Sequence, residues 1–224
     1  MQVVNTFSFN GGESFLKKKH PDELRDVLDA IGHLSAVSCL TKASKEKTKK
    51  GKLLFSPRDS NDQLKLELHK KGWTQKAVAG KKKPYIEPRI AFGGNRFREM
   101  DGIKNRVGLE IQFGKYAFMG YDIFSKMIIF KNRDYIECGI EVIPGHELVQ
   151  QMSTGVSSLE QFLIDLNNRG VSNIDIPVYV IGIGFTDEER TEITRIQGLY
   201  RTDKKKALQI IQLRGNHGAR PGPK

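Results

Sequence analysis

In REMDGIKNRVGLEIQFGKY, residues 98–116, Asp101 precedes Glu110 by nine positions and Gln112 follows two residues later. Val107, Leu109, Ile111 and Phe113 alternate with these polar positions, and side chains two apart on a strand share a face. Glu110 and Gln112 are therefore expected on one side of a strand over 107–113, with the apolar set entering the core on the other. The intervening GIKNR carries turn-favouring residues and is expected to bring Asp101 back on a neighbouring strand, so that two carboxylates and an amide meet at one point. Hard oxygen ligands of this kind suit Mg²⁺, which keeps several waters and bridges to phosphate oxygens. Held by Asp101, Glu110 and the Ile111 carbonyl, such an ion would polarise a scissile phosphate and generate a nucleophilic hydroxide. Gln112 has no useful pKa and is expected to position a water or phosphate through its carbonyl and NH₂. The ordinary reading of the same residues is a turn-capping aspartate beside the wet face of an edge strand. Spacing alone leaves both open.

The charge balance narrows the partner. The chain of 224 residues carries 37 Lys and Arg against 26 Asp and Glu, a formal net charge of +11. Such a surface draws polyanions, nucleic acid first and an anionic membrane second. Six lysines crowd residues 41–52 against one glutamate, and Lys45, Lys47, Lys49, Lys50 and Lys204, Lys205, Lys206 are candidates for phosphate docking. Phosphate contacts add salt-dependent affinity and scarcely distinguish sequences. Cys39 and Cys138 make neither a disulfide framework nor a zinc spacing, which fits a reducing cytoplasm. The N-terminus lacks a signal-peptide pattern and no stretch reaches membrane-span length, so a soluble cytoplasmic protein is expected.

The elements that must position the acidic residues follow from periodicity. Gln2 to Phe9 reads as an edge strand, and Leu24, Val27, Leu28 and Ile31 recur at helical spacing after Pro21. LLFSP at 53–57 reads as a short strand, followed by a helix capped at Asn61 and ending near Gly72-Trp73. Residues 74–98 read as a Gly- and Pro-rich loop, either functional or mobile. A mostly buried helix is expected over 115–131, a strand over 138–144, a helix over 157–170 with a Ser157-to-Glu160 capping box, and a central strand over 177–185. This alternation predicts an α/β fold, a mixed central sheet flanked by helices, in a single domain spanning 1–224 with a basic tail from about 190. The final GNHGARPGPK is expected to be disordered. His33 and Cys39 read as local packing or surface residues, and His146 has no accompanying ligand set. Tyr116, Phe118 and Phe124 read as core. Glu137 and Glu141 would either support the site or pair with lysines, the second being the simpler account.

Several segments in order carry a family resemblance: KASKEKTKKGKLLFSP, NDQLKLELHKKGW, DGIKNRVGLEIQFGKYAF and GIEVIPGHELVQQMSTG. Over roughly residues 1–185 the chain resembles the BglII-type restriction endonucleases, whose variant of the PD-(D/E)XK nuclease pattern places Gln where lysine usually stands. The resemblance implies a restriction-endonuclease-like core in which Asp101 and Glu110 hold metal and Gln112 replaces the lysine. It implies a Mg²⁺-dependent homodimer that cleaves palindromic double-stranded DNA to 5′-phosphate ends, with a GATC core suggested. It also implies that Lys115 contacts a base, that Ser153, Thr154 and Gly155 read the outer base pair, and that a separately encoded methyltransferase protects the host. A noncatalytic DNA-binding protein and a structure-selective repair nuclease are the rival readings.

Overall fold

VYVIGIG is an uninterrupted apolar run, and in the computed structural model, which describes residues 1–169 and 175–215, every residue of it is buried. Such a strand belongs inside a sheet covered on both faces. It is the last of eleven strands among the described residues. Chain order begins with β1 (Gln2–Phe9), α1 (Gly12–Lys19), α2 (Pro21–His33), β2 (Lys42–Ala43), β3 (Leu53–Leu54) and α3 (Pro57–Lys70). Two small hairpins follow, β4 (Gln75–Lys76) with β5 (Tyr85–Ile86) and β6 (Arg89–Ala91) with β7 (Phe97–Glu99). Next come β8 (Gly102–Lys104), β9 (Val107–Ile111), α4 (Tyr116–Tyr121), a π-helical segment (Asp122–Lys126), α5 (Met127–Asn132) and β10 (Cys138–Pro144). The chain continues through α6 (His146–Gln150), α7 (Leu159–Arg169), β11 (Val178–Gly184), α8 (Asp187–Thr202) and α9 (Lys204–Gly215).

Five strands form a mixed sheet in the order β1-β11-β10-β9-β8. β9, β10 and β11 run parallel, while β1 and β8 flank them antiparallel. The fold is α/β with helices on both faces. On one face Val107, Leu109 and Ile111 of β9 join Ile140, Val142, Ile181 and Ile183 in a cluster that includes α2, α3, α8 and α9. On the other, Met119, Ile123, Met127 and Phe130 pack with Leu159, Phe162, Val178 and Val180. No helix among the described residues is long and apolar enough to cross a membrane.

Local chemistry explains where the elements depart from expectation. The third helix starts at Pro57, not near Asn61: Ser56 caps it by accepting the Asp59 N–H, and a proline at the first helical position needs no hydrogen bond. Its cousin α7 is capped by Ser158, whose hydroxyl accepts the Gln161 N–H, whereas Ser157 Oγ is buried without a partner. Its expected closure at Gly170 lies outside the described residues, as do the last nine residues of the expected disordered end. The strand after the turn stops at Ile111, and Phe118 is 51% exposed rather than in the core. Residues 74–98 hold the two small hairpins. The expected basic tail from about 190 begins inside α8 and continues into α9, which place Ile193, Ile196, Tyr200, Ala207 and Ile211 in the core. Thr186 and Glu189 form the capping box that starts α8.

Gly12 fixes how closely α1 approaches the sheet. A Cβ there would lie 2.3 Å from the Val178 backbone carbonyl, which has no flexible end to yield. Gly12→Ala is expected to cost about 1–3 kcal/mol in urea denaturation; unchanged stability would show that the helix is free to slide.

Candidate active site

The turn between β8 and β9 sets the acidic pair. Asn105 and Arg106, at φ 45° and 67°, make a two-residue connection, and the register pairs Gly102 with Leu109. Positive φ at both central residues matches the twist of a tight hairpin. Asp101, just before β8, thus returns beside the end of β9, and its Oδ2 accepts the Ile111 N–H at 2.8 Å. The expected return of Asp101 toward Glu110 is present.

Glu110 is 3% exposed and points to the sheet face opposite Leu109 and Ile111. The parallel register places Glu141 of β10 directly across from it, and Gly139 across from Gly108. Both glutamates follow a glycine by two residues. Those glycines let the helical layer close down: a Cβ on Gly139 would lie 2.4 Å from Met127 Sδ. The π-helical segment brings Asp122 and Lys126 over the same face. Lys126 Nζ lies 2.9 Å from Glu110 Oε2 and 2.7 Å from Asp122 Oδ1.

Gln112 sits beyond the strand and closes this network. Its Nε2 donates to Asp122 Oδ2 at 3.1 Å, and its Oε1 accepts the Gly114 N–H at 2.8 Å. A second lysine flanks the pair from α3: Lys65 Nζ is 2.5 Å from Asp101 Oδ1 and 3.5 Å from Glu87 Oε1. Burial alone would lower the pKa of Lys65 and of Lys126, but the surrounding carboxylates outweigh it and hold both ammonium groups charged.

Three buried carboxyls, Glu110, Asp122 and Glu141, face the single ammonium of Lys126. Burial, and then the charge of Asp101, raises the Glu110 pKa against the opposing pull of Lys126. Burial, then Asp122 and Glu110, raises Glu141 well above the usual carboxylate range. Neither Glu141 oxygen has a hydrogen-bond partner, nor does Glu110 Oε1. Unpaired burial disfavours the ionised form most, so Glu141 is the member that sheds its charge by protonation. The simpler account of Glu141, a lysine pair, is overturned: β10 buries it completely, and Lys126 is taken by its neighbours. Glu137 instead pairs with His20 Nε2 at 2.9 Å.

Among the described residues, no group of three or more His, Cys, Asp or Glu side chains forms a metal-holding cluster. Asp101 and Glu110 come together as expected, but each is met by a lysine, and nothing in the contacts places the Ile111 carbonyl toward them. Lys65, Glu87, Asp122 and Lys126 were not singled out from the sequence. The repeated Gly-x-Glu of β9 and β10 and the Asp122/Lys126 spacing of four were its available signals.

The predicted DNA-facing residues separate into two groups. Lys115 leads into α4 and forms an isolated antiparallel bridge with Val156, which ties it to the loop that carries Ser153 and Thr154. The β2–β3 hairpin docks on the same loop: Lys49 Nζ donates to the Gln150 and Met152 carbonyls at 3.2 and 2.5 Å, and Lys42 donates to the Ser153 hydroxyl. Gly155, at φ 88°, permits the turn. Lys45, Lys47 and Lys50 are exposed on the hairpin. Lys204, Lys205 and Lys206 are exposed at the start of α9, where Lys204 lies 5.7 Å from the Tyr200 ring centroid.

The profile of the family "Restriction endonuclease BglII/BglIII" matches residues 4–183. The chain belongs to this family. The BglII/BglIII match spans both β9 and the loop at 150–156. The type II restriction enzyme BglII of Bacillus subtilis is 27% identical over 175 residues, covering 76% of this chain and 73% of that enzyme. The crystal structure of restriction endonuclease BglII complexed with a DNA 16-mer superposes with a TM-score of 0.65 at 20% identity, covering 84% of this chain and 78% of that one. The likeness to that structure establishes the shared restriction-endonuclease-like fold, and family membership gives the coarse activity, that of a restriction endonuclease.

The protonated state assigned to Glu141 has a thermodynamic signature. Its folded pKa lies above the unfolded value of 4.5, so its favourable contribution is present below that value and is lost as pH rises toward the folded pKa. In metal-free protein, Glu141→Gln is expected to gain stability relative to the parent by about 1.4 kcal/mol per pH unit across that window. Urea denaturation from pH 5 to 8 reads the difference; parallel pH profiles would show that Glu141 ionises normally.

Proposed function

We propose that this BglII/BglIII-family member is a Mg²⁺-dependent type II endonuclease that cuts palindromic double-stranded DNA as a homodimer, leaving 5′-phosphates. The observation that carries the reading is the approach of Asp101, held at the end of β9 by the Ile111 N–H, close enough for its charge to act on buried Glu110, whose Oε1 has no hydrogen-bond partner. An unpaired buried carboxylate oxygen fits a hard cation, and the two lysines at the site show that it attracts positive charge. Asp101 and Glu110, with the Ile111 carbonyl, would hold Mg²⁺. When bound, the ion supplies Lewis-acid stabilisation of phosphate charge and an acidified water.

The chain's own residues set charge and position. Asp101 is anchored by the Ile111 N–H, which keeps one carboxylate oxygen directed along the strand end. Gln112 is locked at both ends by Asp122 and Gly114 and so acts as a positioning group rather than a base. Lys126 prevents Glu110 and Asp122 from repelling one another, and neutral Glu141 adds no further negative charge near the DNA. In the hydrolysis, a water oxygen bonds to phosphorus, the P–O3′ bond breaks, O3′ takes up a proton, and the 5′ side retains the phosphate.

The exposed lysines of the β2–β3 hairpin would meet the DNA backbone, and Lys115 with Ser153 and Thr154 would face base edges in the major groove. Lys204 to Lys206 would add electrostatic attraction. A GATC-core site with an outer purine-pyrimidine pair is the proposed target. Double-stranded DNA and a second copy of the chain are the proposed partners, and a separately encoded methyltransferase would protect the host's own sites.

Incubation with plasmid DNA and Mg²⁺, followed by sequencing of the termini, is expected to give discrete fragments with 5′-phosphates and one constant sequence at their ends. Intact plasmid would support the noncatalytic DNA-binding rival, and ends sharing a DNA shape without a common sequence would support the repair-nuclease rival. Asp101→Asn and Glu110→Gln are each expected to slow cleavage about 10³-fold while retaining specific binding with Ca²⁺; cleavage near the parental rate would remove the assigned roles. Binding measured against salt separates the lysines. Lys45→Ala and Lys47→Ala are each expected to reduce the slope of log K by about 0.9. Lys49→Ala should leave it unchanged, because its ammonium already serves the Gln150 and Met152 carbonyls; a reduced slope would mean that Lys49 reaches DNA instead.

A further inference from the structure

The stretch RIAFGGNRFRE, residues 89–99, holds three arginines and two phenylalanines against one acid, and β6 and β7 pair it into a hairpin. Gly93 and Gly94, at φ 86° and 57°, turn the chain between the strands. Directly opposed residues of an antiparallel pair share a face. The register therefore divides the hairpin, with Arg89, Ala91, Phe97 and Glu99 on one face and Ile90 and Arg98 on the other.

The two faces treat their charge differently. On the first, the Arg89 guanidinium lies 3.8 Å from the Phe97 ring centroid and donates to Glu99 Oε2 through Nε at 3.1 Å and Nη2 at 2.6 Å, so its charge is compensated. On the second, Ile90 is buried with the helical layer, and Arg98 Nε donates to the Tyr121 hydroxyl at 2.6 Å, a neutral partner. Arg98 and Arg133, the latter at the end of α5, lie 5.9 and 5.7 Å from the ring centroid of Phe92. All three side chains belong to exposed residues. Neither guanidinium has an ion-pair partner among the described residues, and the nearby acids Glu99 and Asp134 are taken by Arg89 and Arg106.

Two like charges gathered at one exposed ring without a counter-ion repel, and an anion placed between them removes the repulsion. A guanidinium offers a planar fork that matches phosphate, and an aromatic ring holds that fork in place. The hairpin is rooted at the acidic site. Asp101 follows β7 by two residues, and Glu87, two residues before β6, shares Lys65 with it. Three residues separate Arg98 from Asp101, so their Cα atoms are at most about 11 Å apart. A polyanion seated at Asp101 and Glu110 lies within the reach of this hairpin.

We propose that Arg98 and Arg133, gathered around Phe92, form a clamp that binds a backbone phosphate of duplex DNA beside the acidic site. The clamp rests on the DNA partner of the nuclease reading and adds a surface to it. It reads no base; it sets the register of the duplex over Asp101 and Glu110.

Binding of a mixed-sequence DNA duplex, followed by fluorescence anisotropy against salt with divalent ions chelated, tests the clamp without cleavage. Arg98→Gln and Arg133→Gln are each expected to reduce the slope of log K by about 0.9. Tyr121→Phe removes the acceptor of Arg98 Nε but leaves the charge, and should keep the parental slope. Phe92→Leu keeps both charges and removes the ring, which should weaken binding about threefold at an unchanged slope; unaltered affinity overturns the role of the ring. A parental slope in either arginine variant overturns the clamp and leaves the nuclease reading standing. A loss of slope in Tyr121→Phe equal to that in Arg98→Gln overturns it too, because hairpin placement and not charge would then be responsible. A parent without affinity for the duplex overturns the nuclease reading together with the clamp.

Discussion

The structure depends on keeping several carboxyls close together inside a protein with very few positive charges to spare at that point. Glu110 and Glu141 stand side by side on adjacent parallel strands, Asp122 hangs over them from the helical layer, and one ammonium, that of Lys126, compensates the group. Ionised carboxylates without partners are expensive to bury. The cluster persists because Lys126 is shared and because Glu141 sheds its charge. The geometry of Glu110 is consequently over-determined from below by packing and from the side by Lys126, while its Oε1 stays unsatisfied. A buried ion pair is weak evidence for stability in itself. Here it accompanies the carboxyl cluster that the proposed metal site would draw on.

The rest of the fold serves that constraint. Parallel β9 and β10 set the two glutamates in register, and the glycines two residues earlier let Met127 descend onto the sheet. The π-helical segment changes the helical phase so that Asp122 and Lys126 look down while Ile123 and Met127 still pack; such segments often occur at functional sites. From the other side, α3 sends Lys65 to Asp101, and the tight β8–β9 turn carries Asp101 to the strand end. The residues proposed for catalysis and for recognition then lie close in the chain: β9 ends at Ile111, Gln112 closes the acidic network, and the bridge from Lys115 to Val156 joins the loop that holds Ser153 and Thr154. A shift of this one strand would move both.

Legibility followed the range of the interactions. The strands containing VGLEI, CGIEVIP and VYVIGIG, and the helix from Pro21, were readable because alternation or helical spacing is local. The return of Asp101 was readable because Asn105 and Arg106 are adjacent. Lys126 was not, since its role depends on which face of a long apolar helix meets the sheet, and that phase is altered by a π turn. From its strand alone Glu141 reads as a support for the site or, more simply, a lysine partner, because a glutamate on an isolated strand is usually wet; the register that buries it is set by β9 and β11. The α8 helix had local marks in Thr186, Glu189 and the spacing of Ile193, Ile196 and Tyr200, but the basic excess of the tail over 190–224 obscured them. Lysines 42 and 49 were indistinguishable from their neighbours until the hairpin met the loop at 150–156.

Carboxyl ¹³C NMR on glutamate-labelled protein, recorded across pH with and without Ca²⁺ as a non-cleaving substitute for Mg²⁺, tests the central claim most directly. The account expects the Glu141 resonance to titrate well above the ordinary glutamate range, and the Glu110 resonance to shift on adding Ca²⁺ with its midpoint moved down. A Glu110 resonance indifferent to the ion, with both glutamates titrating like exposed ones, would contradict it.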